Sequence, residues 1–214
     1  AARTLTGDYL SITSDRFEAV LRGTMGDALH VSRPVAEIDA DGVVLADGTR
    51  VRAPLVIDGR GPGGSPAGLV LGFQNFVGKE VRLARPHGLS RPIIMDASVA
   101  QRDGYRFVYV LPFTADRVLV EDTHYVDRAA LSVHTLSKNV DRYIQERGWQ
   151  VSEVCRQEQG SLPIVLAGDP DRLWPAAQAV PRVGLAGTRF HQTTGYSLPD
   201  AVRVAETIGA LQDL

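Results

Sequence analysis

Gly104-Tyr-Arg-Phe-Val-Tyr-Val-Leu-Pro-Phe113, Thr114-Ala-Asp116 and Arg117-Val-Leu-Val-Glu-Asp-Thr-His-Tyr125 follow one another and decide the fold. Two strongly apolar segments flank a short polar loop, which predicts a β-hairpin. The apolar part of the second segment ends at two adjacent carboxylates, Glu121 and Asp122. In the first segment large apolar side chains recur at every second position and are expected on one face of the strand: Tyr105, Phe107, Tyr109, Leu111 and Phe113.

Only one of the two carboxylates can share the face of these rings, because neighbouring residues of a strand point to opposite sides. A three-residue loop places Glu121 opposite Tyr109, whereas a two-residue loop shifts the pairing and presents Asp122. A carboxyl group in an apolar wall is desolvated, which favours its protonated form and makes it a usable acid near pH 7. On the residues alone, a solvated strand end beside ordinary sheet packing is the alternative.

The segments on either side of the hairpin predict a mixed α/β architecture. Residues 71–163 have the pattern of an antiparallel sheet of about four strands with a helix over Ser132–Arg147. Residues 55–58 predict a buried strand, and residues 182–187 a short strand followed by a helix from about Leu198. We therefore expect an α/β domain formed by residues 1–70 and 164–214, interrupted by an antiparallel domain at 71–163.

Composition excludes several classes of protein. The 214 residues carry a net charge of −2, which gives no electrostatic basis for binding nucleic acid. The single Cys155 excludes an internal disulfide and a cysteine-rich zinc site, and it favours a reducing, cytoplasmic compartment. Five scattered histidines predict no metal site, and no apolar run is long enough for a transmembrane helix.

Two glycine-containing loops are candidates for binding an anionic cofactor. One begins at Asp58-Gly59, directly after the predicted buried strand, where ligands collect in α/β proteins. The other includes Gly187 and Thr194-Gly-Tyr196 and leads into the last helix, whose first N–H groups would favour an anion. A plain turn is the alternative at both places.

Several long motifs resemble the bacterial lycopene β-cyclases of carotenoid biosynthesis, and the likeness runs from about Tyr9 to Leu211. They are Gly72-Phe-Gln-Asn-Phe-Val-Gly-Lys-Glu-Val-Arg-Leu83, Pro86-His-Gly-Leu89, Ile94-Met-Asp-Ala97, Gly104-Tyr-Arg-Phe-Val-Tyr109, Val120-Glu-Asp-Thr-His-Tyr125 and Thr193-Thr-Gly-Tyr-Ser-Leu-Pro199. The resemblance implies part of a glutathione-reductase-type FAD-binding fold interrupted by an antiparallel substrate domain. It also implies proton-initiated cyclisation of the linear ends of lycopene to β-ionone rings, with reduced FAD, NAD(P)H as the reductant and no net redox change.

The resemblance also assigns roles to residues of this chain. The essential acid of the family falls on Glu121, with Asp122 as its companion. Asp58, Gly59, Gly187, Thr194, Gly195 and Tyr196 match segments around the flavin, although Thr188 stands where related flavoproteins carry Asp. The rings of Tyr105, Phe107, Tyr109 and Phe113 are suited to binding the polyene and its cation, since aromatic faces attract cations.

The chain is expected to be a piece of a longer protein, because it has no initiator methionine and lacks two segments of the family. These are the N-terminal dinucleotide-binding motif and a C-terminal, mainly helical segment. We expect the piece alone to bind FAD weakly and to be inactive, and the intact protein to associate peripherally with the membrane that holds its substrate.

Two other functions are consistent with the same residues. An FAD-dependent aromatic hydroxylase or halogenase of the same fold would use the flavin for oxygen chemistry. A non-catalytic carotenoid-binding module would use the aromatic face only to hold an apolar ligand.

Overall fold

The structure is a computed structural model that describes residues 3–61, 69–102, 104–130, 132–191 and 194–211. The helices are α1 (Ser14–Met25), α2 (Val133–Glu146), α3 (Pro170–Leu173) and α4 (Leu198–Ala210), with 3-10 turns at Gly26–Ala28 and Gly184–Gly187. The strands are β1 (Val35–Asp39), β2 (Gly42–Leu45), β3 (Arg50–Arg52), β4 (Leu69–Leu83), β5 (Ile93–Asp96), β6 (Tyr105–Pro112), β7 (Arg117–Val126) and β8 (Val151–Gly168). Within these ranges no helix is long and apolar enough to cross a bilayer.

The chain divides into two compact units, Ala1–Val56 and Ile57–Leu214. In the first unit α1 begins where the sequence predicts, because the Thr13 side chain accepts a hydrogen bond from the N–H of Arg16. A three-stranded antiparallel sheet follows in the order β1-β2-β3. The division into domains at 70/71 and 163/164 stays a prediction.

The second unit is built on a five-stranded sheet in the order β5-β6-β7-β4-β8, in which every pair is antiparallel. The four strands β4 to β7 agree with the predicted sheet, and β8 is the returning strand that the residues from Trp149 to Leu162 indicate. Only its end differs, because the residues from Pro163 were expected to form a loop. Strand β8 continues to Gly168 because it pairs along all of β4, from Leu69 opposite Gly168 to Leu83 opposite Val151. Pro163 is tolerated because β8 is an edge strand, where a missing N–H leaves no ladder bond unmade.

The central hairpin has the register that a three-residue loop predicts. The N–H of Phe113 donates to the carbonyl of Arg117 over 2.9 Å, so residues 114–116 form the loop. Tyr109 then lies opposite Glu121, Phe107 opposite Thr123, and Tyr105 opposite Tyr125. Glu121 and not Asp122 therefore shares a face with these rings, which confirms the first of the two alternatives.

One face of the sheet is covered by α2, and this determines which face is left for a ligand. Leu136, Val140, Tyr143 and Ile144 are the buried residues of α2, as the sequence predicts. They face a valine-rich layer of the sheet that includes Val81, Val108, Val110, Val118 and Val120. The opposite face, which we call the aromatic face, carries Tyr105, Phe107, Tyr109, Glu121, Thr123 and Tyr125.

Gly104 is required at the start of β6. Its φ angle is +113°, and a Cβ atom at this position would lie 2.1 Å from the carbonyl oxygen of Tyr125. Any other residue would be strained and would collide with backbone. Gly104 thus allows β6 to pair with β7 up to its first residue, Tyr105.

The segments that flank the sheet form less regular structure than predicted. Residues 55–58 are not a strand: only Asp58 forms a β-bridge, parallel to Arg182. The bridge confirms that the two flanking segments meet in space. Residues 182–187 are not a strand beyond this bridge, because the positive φ of Gly184 and the 3-10 turn Gly184–Gly187 end it at once. In the part of the chain that is described, no further strand pairs with either segment.

Candidate active site

Glu121 lies in the middle of the aromatic face, between Tyr109 on β6 and Gly78 on β4. Its side chain is half-buried, and its pKa is raised to about 7, chiefly because burial disfavours the charged form. This value includes a lowering of the pKa by the Thr123 hydroxyl, which donates to Oε1 over 2.9 Å, and a raising by the negative charges of Glu158 and Asp122. Near neutral pH a substantial fraction of this carboxyl group therefore carries its proton.

Asp122 points to the other face and is fully buried beneath α2. Its carboxylate accepts hydrogen bonds from Arg106 Nε at 2.6 Å and from Asn139 Nδ2 at 2.8 Å. The imidazole of His124 lies 3.0 Å from the second oxygen, Oδ2. The structure does not bring Asp122 to the aromatic face, and its contacts are those of a buried structural ion pair.

Four rings of the aromatic face form a contiguous cluster. The centroid of Phe107 lies 5.2 Å from that of Tyr109, 5.6 Å from that of Tyr125 and 5.7 Å from that of Tyr105. Tyr105 and Tyr125 stack at 6.2 Å. Phe107 is completely buried, so its role is to pack the other rings, whereas Tyr105 is exposed.

The positions of Phe113 and Tyr125 relative to the ring cluster differ from what the sequence predicts. Phe113 is a predicted substrate residue, but it lies at the hairpin loop, exposed, and none of the ring contacts among the described residues includes it. The structure thus does not bring it to the ring cluster. Tyr125 is part of the cluster although it was not a candidate site residue. The three-residue loop would have identified it, because that register places Tyr125 opposite Tyr105.

An apolar pocket of 720 Å³ opens beside Tyr105 and Tyr125. Its wall comes from the ends of several strands of the sheet and is formed by Gly72, Phe73, Met95, Gly104, Tyr105, Tyr125, Val126, Asp127, Ile164 and Leu166. Such a surface can hold an extended hydrocarbon chain, and among the described residues of this wall only Asp127 carries an ionisable carboxyl or amine.

The loop before α4 reaches the aromatic face. The hydroxyl oxygens of Tyr196 and Tyr109 are 3.3 Å apart. A Cβ atom on Gly195 would lie 2.5 Å from the amide oxygen of Gln74, and this oxygen is buried with no hydrogen-bond partner among the described residues. Thr194 belongs to the same turn, since its N–H donates to the carbonyl of His191 over 3.2 Å. Sequence reasoning did not single out Gln74, although it lies within the motif Gly72–Leu83.

A second pocket, of 640 Å³, lies at the start of α4. It is lined by Phe190, His191, Thr194, Tyr196, Pro199, Asp200 and Arg203. The N–H groups at the start of α4 suit a negatively charged group, whereas the Arg203 guanidinium in this wall is already paired with the Asp200 carboxylate. More of its lining residues are polar than in the pocket beside Tyr105 and Tyr125. Tyr196 connects it to the aromatic face. Thr193, part of the family motif, lies outside the described residues.

Asp58, Gly59 and Gly187 lie around the bridge at Arg182. The N–H of Asp58 donates to Pro181 and its carbonyl accepts from Val183, at 2.8 and 2.9 Å. The guanidinium of Arg60 binds the Asp58 carboxylate and lowers its pKa. A Cβ atom on Gly187 would lie 2.7 Å from the Arg182 carbonyl oxygen, so this turn closes only around glycine.

Comparisons with known proteins agree with the sequence motifs. The family model described as lycopene cyclase protein matches residues 1–212. The chain is 49% identical over 212 residues to a lycopene β-cyclase of Pantoea ananas, covering 98% of this chain and 54% of that protein. It is 46% identical over 206 residues to a lycopene β-cyclase of Pseudescherichia vulneris, covering 96% of this chain and 53% of that protein.

The chain thus spans about half the length of the curated relatives it matches. Among solved structures, an anhydrotetracycline hydroxylase, OxyS of Streptomyces rimosus, aligns with a TM-score of 0.47 at 18% identity, over 87% of this chain and 39% of that one. A likeness at this level does not by itself establish a shared fold. The family model and the relatives do settle the family: the chain belongs to the lycopene cyclases.

Proposed function

We propose that the protein containing this chain is a lycopene β-cyclase in which Glu121 donates the proton that starts ring formation. The observation that carries the proposal is the position of Glu121: a half-buried carboxyl group, with its pKa raised to about 7, on the same face as the ring cluster. An alkene is a very weak base, so its protonation requires an acid that keeps its proton in apolar surroundings.

The reaction proceeds in three balanced steps. Glu121 transfers its proton to the terminal double bond of a linear end of lycopene, which leaves a carboxylate on Glu121 and a tertiary carbocation on the substrate. The electron pair of a neighbouring double bond then attacks the cation and forms the new carbon–carbon bond. Loss of a proton from the ring to a base restores a double bond and completes the β-ionone ring.

The ring cluster is suited to the cationic stage. The cation has no hydrogen-bonding group, so it is stabilised by π-faces, each contributing about 0.5 to 2 kcal/mol when desolvated. Tyr109 lies directly opposite Glu121 and is the nearest ring to the proton. The pocket beside Tyr105 and Tyr125 would hold the rest of the polyene and exclude water, which would otherwise trap the cation.

Reduced FAD is the cofactor that the proposal requires, with NAD(P)H as the reductant. The pocket at the start of α4 is the proposed site of its charged part, because it lies at the N-terminal turn of the helix and is lined by Arg203. Gln74, with its unpartnered amide oxygen, and Tyr196 would lie between this pocket and Glu121. When bound, the reduced flavin would supply an electron-rich ring beside the cationic site. Asp58, Gly59 and Gly187 would support the cofactor from the bridge at Arg182.

Lycopene and other linear carotenoids are the proposed substrates. Because they are confined to lipid, we also propose that the intact, cytoplasmic protein binds peripherally to the membrane. Asp122 has a positioning role in this proposal, since its ion pair with Arg106 fixes the strand that presents Glu121.

The proposed activity predicts a product. Expression of the full-length protein in lycopene-accumulating bacteria should convert lycopene to carotenoids with β-ionone rings, measured by chromatography of the extracted pigments. Unchanged lycopene at a normal level of folded, flavin-containing protein would contradict the proposal. Flavin-dependent oxygen consumption without cyclised pigment would instead support a hydroxylase, and pigment binding without any conversion would support a carotenoid-binding module.

A further inference from the structure

A second carboxylate, Glu158, lies close to Glu121 on the aromatic face. Gly78 of β4 is paired with Glu121 of β7 on one side and with Glu158 of β8 on the other, so the three share one face of the sheet. Two strand spacings separate the two acidic residues, about 10 Å between their Cα atoms. A side chain at position 78 would stand between them.

Glycine at position 78 leaves that space to Glu158. A Cβ atom on Gly78 would lie 3.0 Å from Cγ and 3.2 Å from Oε1 of Glu158, so the Glu158 side chain leans over Gly78 towards β7. Leu119 covers the same spot from the β7 side, with Cδ1 3.2 Å from that Cβ position. The Glu158 carboxylate is thereby directed at the Glu121 side of the face and held against an apolar neighbour.

Glu158 is also paired with a cation. The guanidinium of Arg156, two residues earlier on the same face of β8, forms an ion pair with Oε2 of Glu158. The Glu158 side chain is 27% exposed, so it remains in contact with solvent. The two carboxyl groups therefore have different environments, one apolar and one paired with a cation. Such a difference separates an acid from a carboxylate base.

We infer that Glu158 is a second acidic residue of this active site, a positioning residue whose negative charge keeps the proton on Glu121 between turnovers. The inference rests on the proposed function, because it assigns Glu158 a part in loading the proton donor. A fixed negative charge nearby makes loss of a second proton unfavourable.

Other groups facing Glu121 do not replace this role. Thr123 is a neutral hydroxyl, and Asp122, whose charge also raises the pKa of Glu121, lies on the opposite face in an ion pair with Arg106. Glu80, two residues along β4, is paired with Arg117. Among the described residues, the phenols Tyr109, Tyr125 and Tyr196 are further titratable neighbours, and the hydroxyl groups of Tyr109 and Tyr196 hydrogen-bond to each other. Burial raises the pKa of Tyr109, so it is neutral at working pH.

The test is the titration of the Glu121 carboxyl group, followed by carbon-13 NMR in the full-length protein. Glu158→Gln removes the nearby charge and should lower the Glu121 midpoint by roughly 0.5 to 1 pH unit. Because Glu121 acts in its protonated form, the alkaline limb of the cyclisation rate should move to lower pH by the same amount. Glu153→Gln is the matched control, because Glu153 is an exposed glutamate of the same strand that is paired with Arg82. This substitution should change neither the Glu121 midpoint nor the alkaline limb of the cyclisation rate.

A second variant should shift the Glu121 midpoint in the opposite direction. Arg156→Gln leaves the Glu158 charge in place without its cation, so the Glu121 midpoint should rise. A midpoint that is the same in Glu158→Gln, Arg156→Gln and the wild-type protein would overturn the inference. The titration does not depend on turnover, so this failure is distinguishable from failure of the proposed function, which would appear as absence of cyclised pigment in the wild-type protein.

Discussion

Replacing Glu121 by Gln should lower the rate of β-ring formation by at least about 100-fold, since a positioned general acid contributes roughly 10² to 10⁴ to a rate. Glutamine has nearly the shape of the protonated carboxyl group but carries no transferable proton. The variant should therefore keep its fold, its bound flavin and its affinity for lycopene while losing the chemical step. The measurement is the rate of pigment formation per flavin-containing molecule in membranes loaded with lycopene.

Glu153→Gln is the control for this substitution, because it makes the same chemical change at an exposed position of the same sheet. It should retain full activity. Cyclisation by Glu121→Gln at the wild-type rate would show that the proton comes from another group. If the variant lost its flavin together with its activity, the lost activity would reflect a disturbed structure and not a missing proton donor. Flavin absorbance is therefore measured on the same sample.

Asp122→Ala should lower the free energy of unfolding by about 3 to 5 kcal/mol, the usual cost of breaking a buried ion pair from one side. Asp122 is completely buried, and Arg106, held between it and the Ala100 carbonyl, is nearly so. Removing the carboxylate leaves the guanidinium without a counter-charge under α2. His124 and Asn139 lose their partner as well. Thermal unfolding of the purified protein measures the effect.

Asp116→Ala provides the comparison, because Asp116 lies in the hairpin loop and its ion pair with Arg82 is exposed. Its loss should change stability by less than about 1 kcal/mol. Equal melting temperatures for Asp122→Ala and Asp116→Ala would show that the buried ion pair does not anchor the sheet. Asp122→Asn should fall between the two, since the amide keeps some hydrogen bonds but not the charge.

The hairpin was predictable because its signals are local. Alternation of large side chains gives the face, and the three residues of the loop fix the register that brings Glu121 opposite Tyr109. The helix α2 was equally predictable, since Leu136, Val140 and Tyr143 recur at helical spacing. In both cases the information lies within a few residues.

The incorrect predictions have a common physical cause: a strand is stabilised by pairing with segments that are distant in the sequence. Apolar runs at 55–58 and 182–187 look like strands, but a strand needs partners along its length, and only the bridge between Asp58 and Arg182 forms. Pro163 looks like a strand end, yet β8 continues through it because it is at the edge of the sheet. Local composition does not reveal either fact.

Pairing across β4 also explains the site residues that sequence reasoning missed. Glu158 lies in no motif, Gln74 is one residue of a long motif that assigns it no role, and neither residue is near Glu121 in the chain. They enter the site because β4 lies between β7 and β8, with Gln74 opposite Tyr125 and Glu158 opposite Gly78. Only the order of the strands shows that these side chains share the face of the proton donor.

The central claim is that Glu121 is a carboxylic acid that remains protonated near neutral pH. Its most direct test is a carbon-13 NMR titration of the side-chain carboxyl of Glu121 in the wild-type full-length protein, with Glu121→Gln identifying the resonance. The account predicts a midpoint at about pH 7, against an ordinary value of 4.5. A midpoint near 4.5 would contradict it, because Glu121 would then be a carboxylate at working pH with no proton to donate.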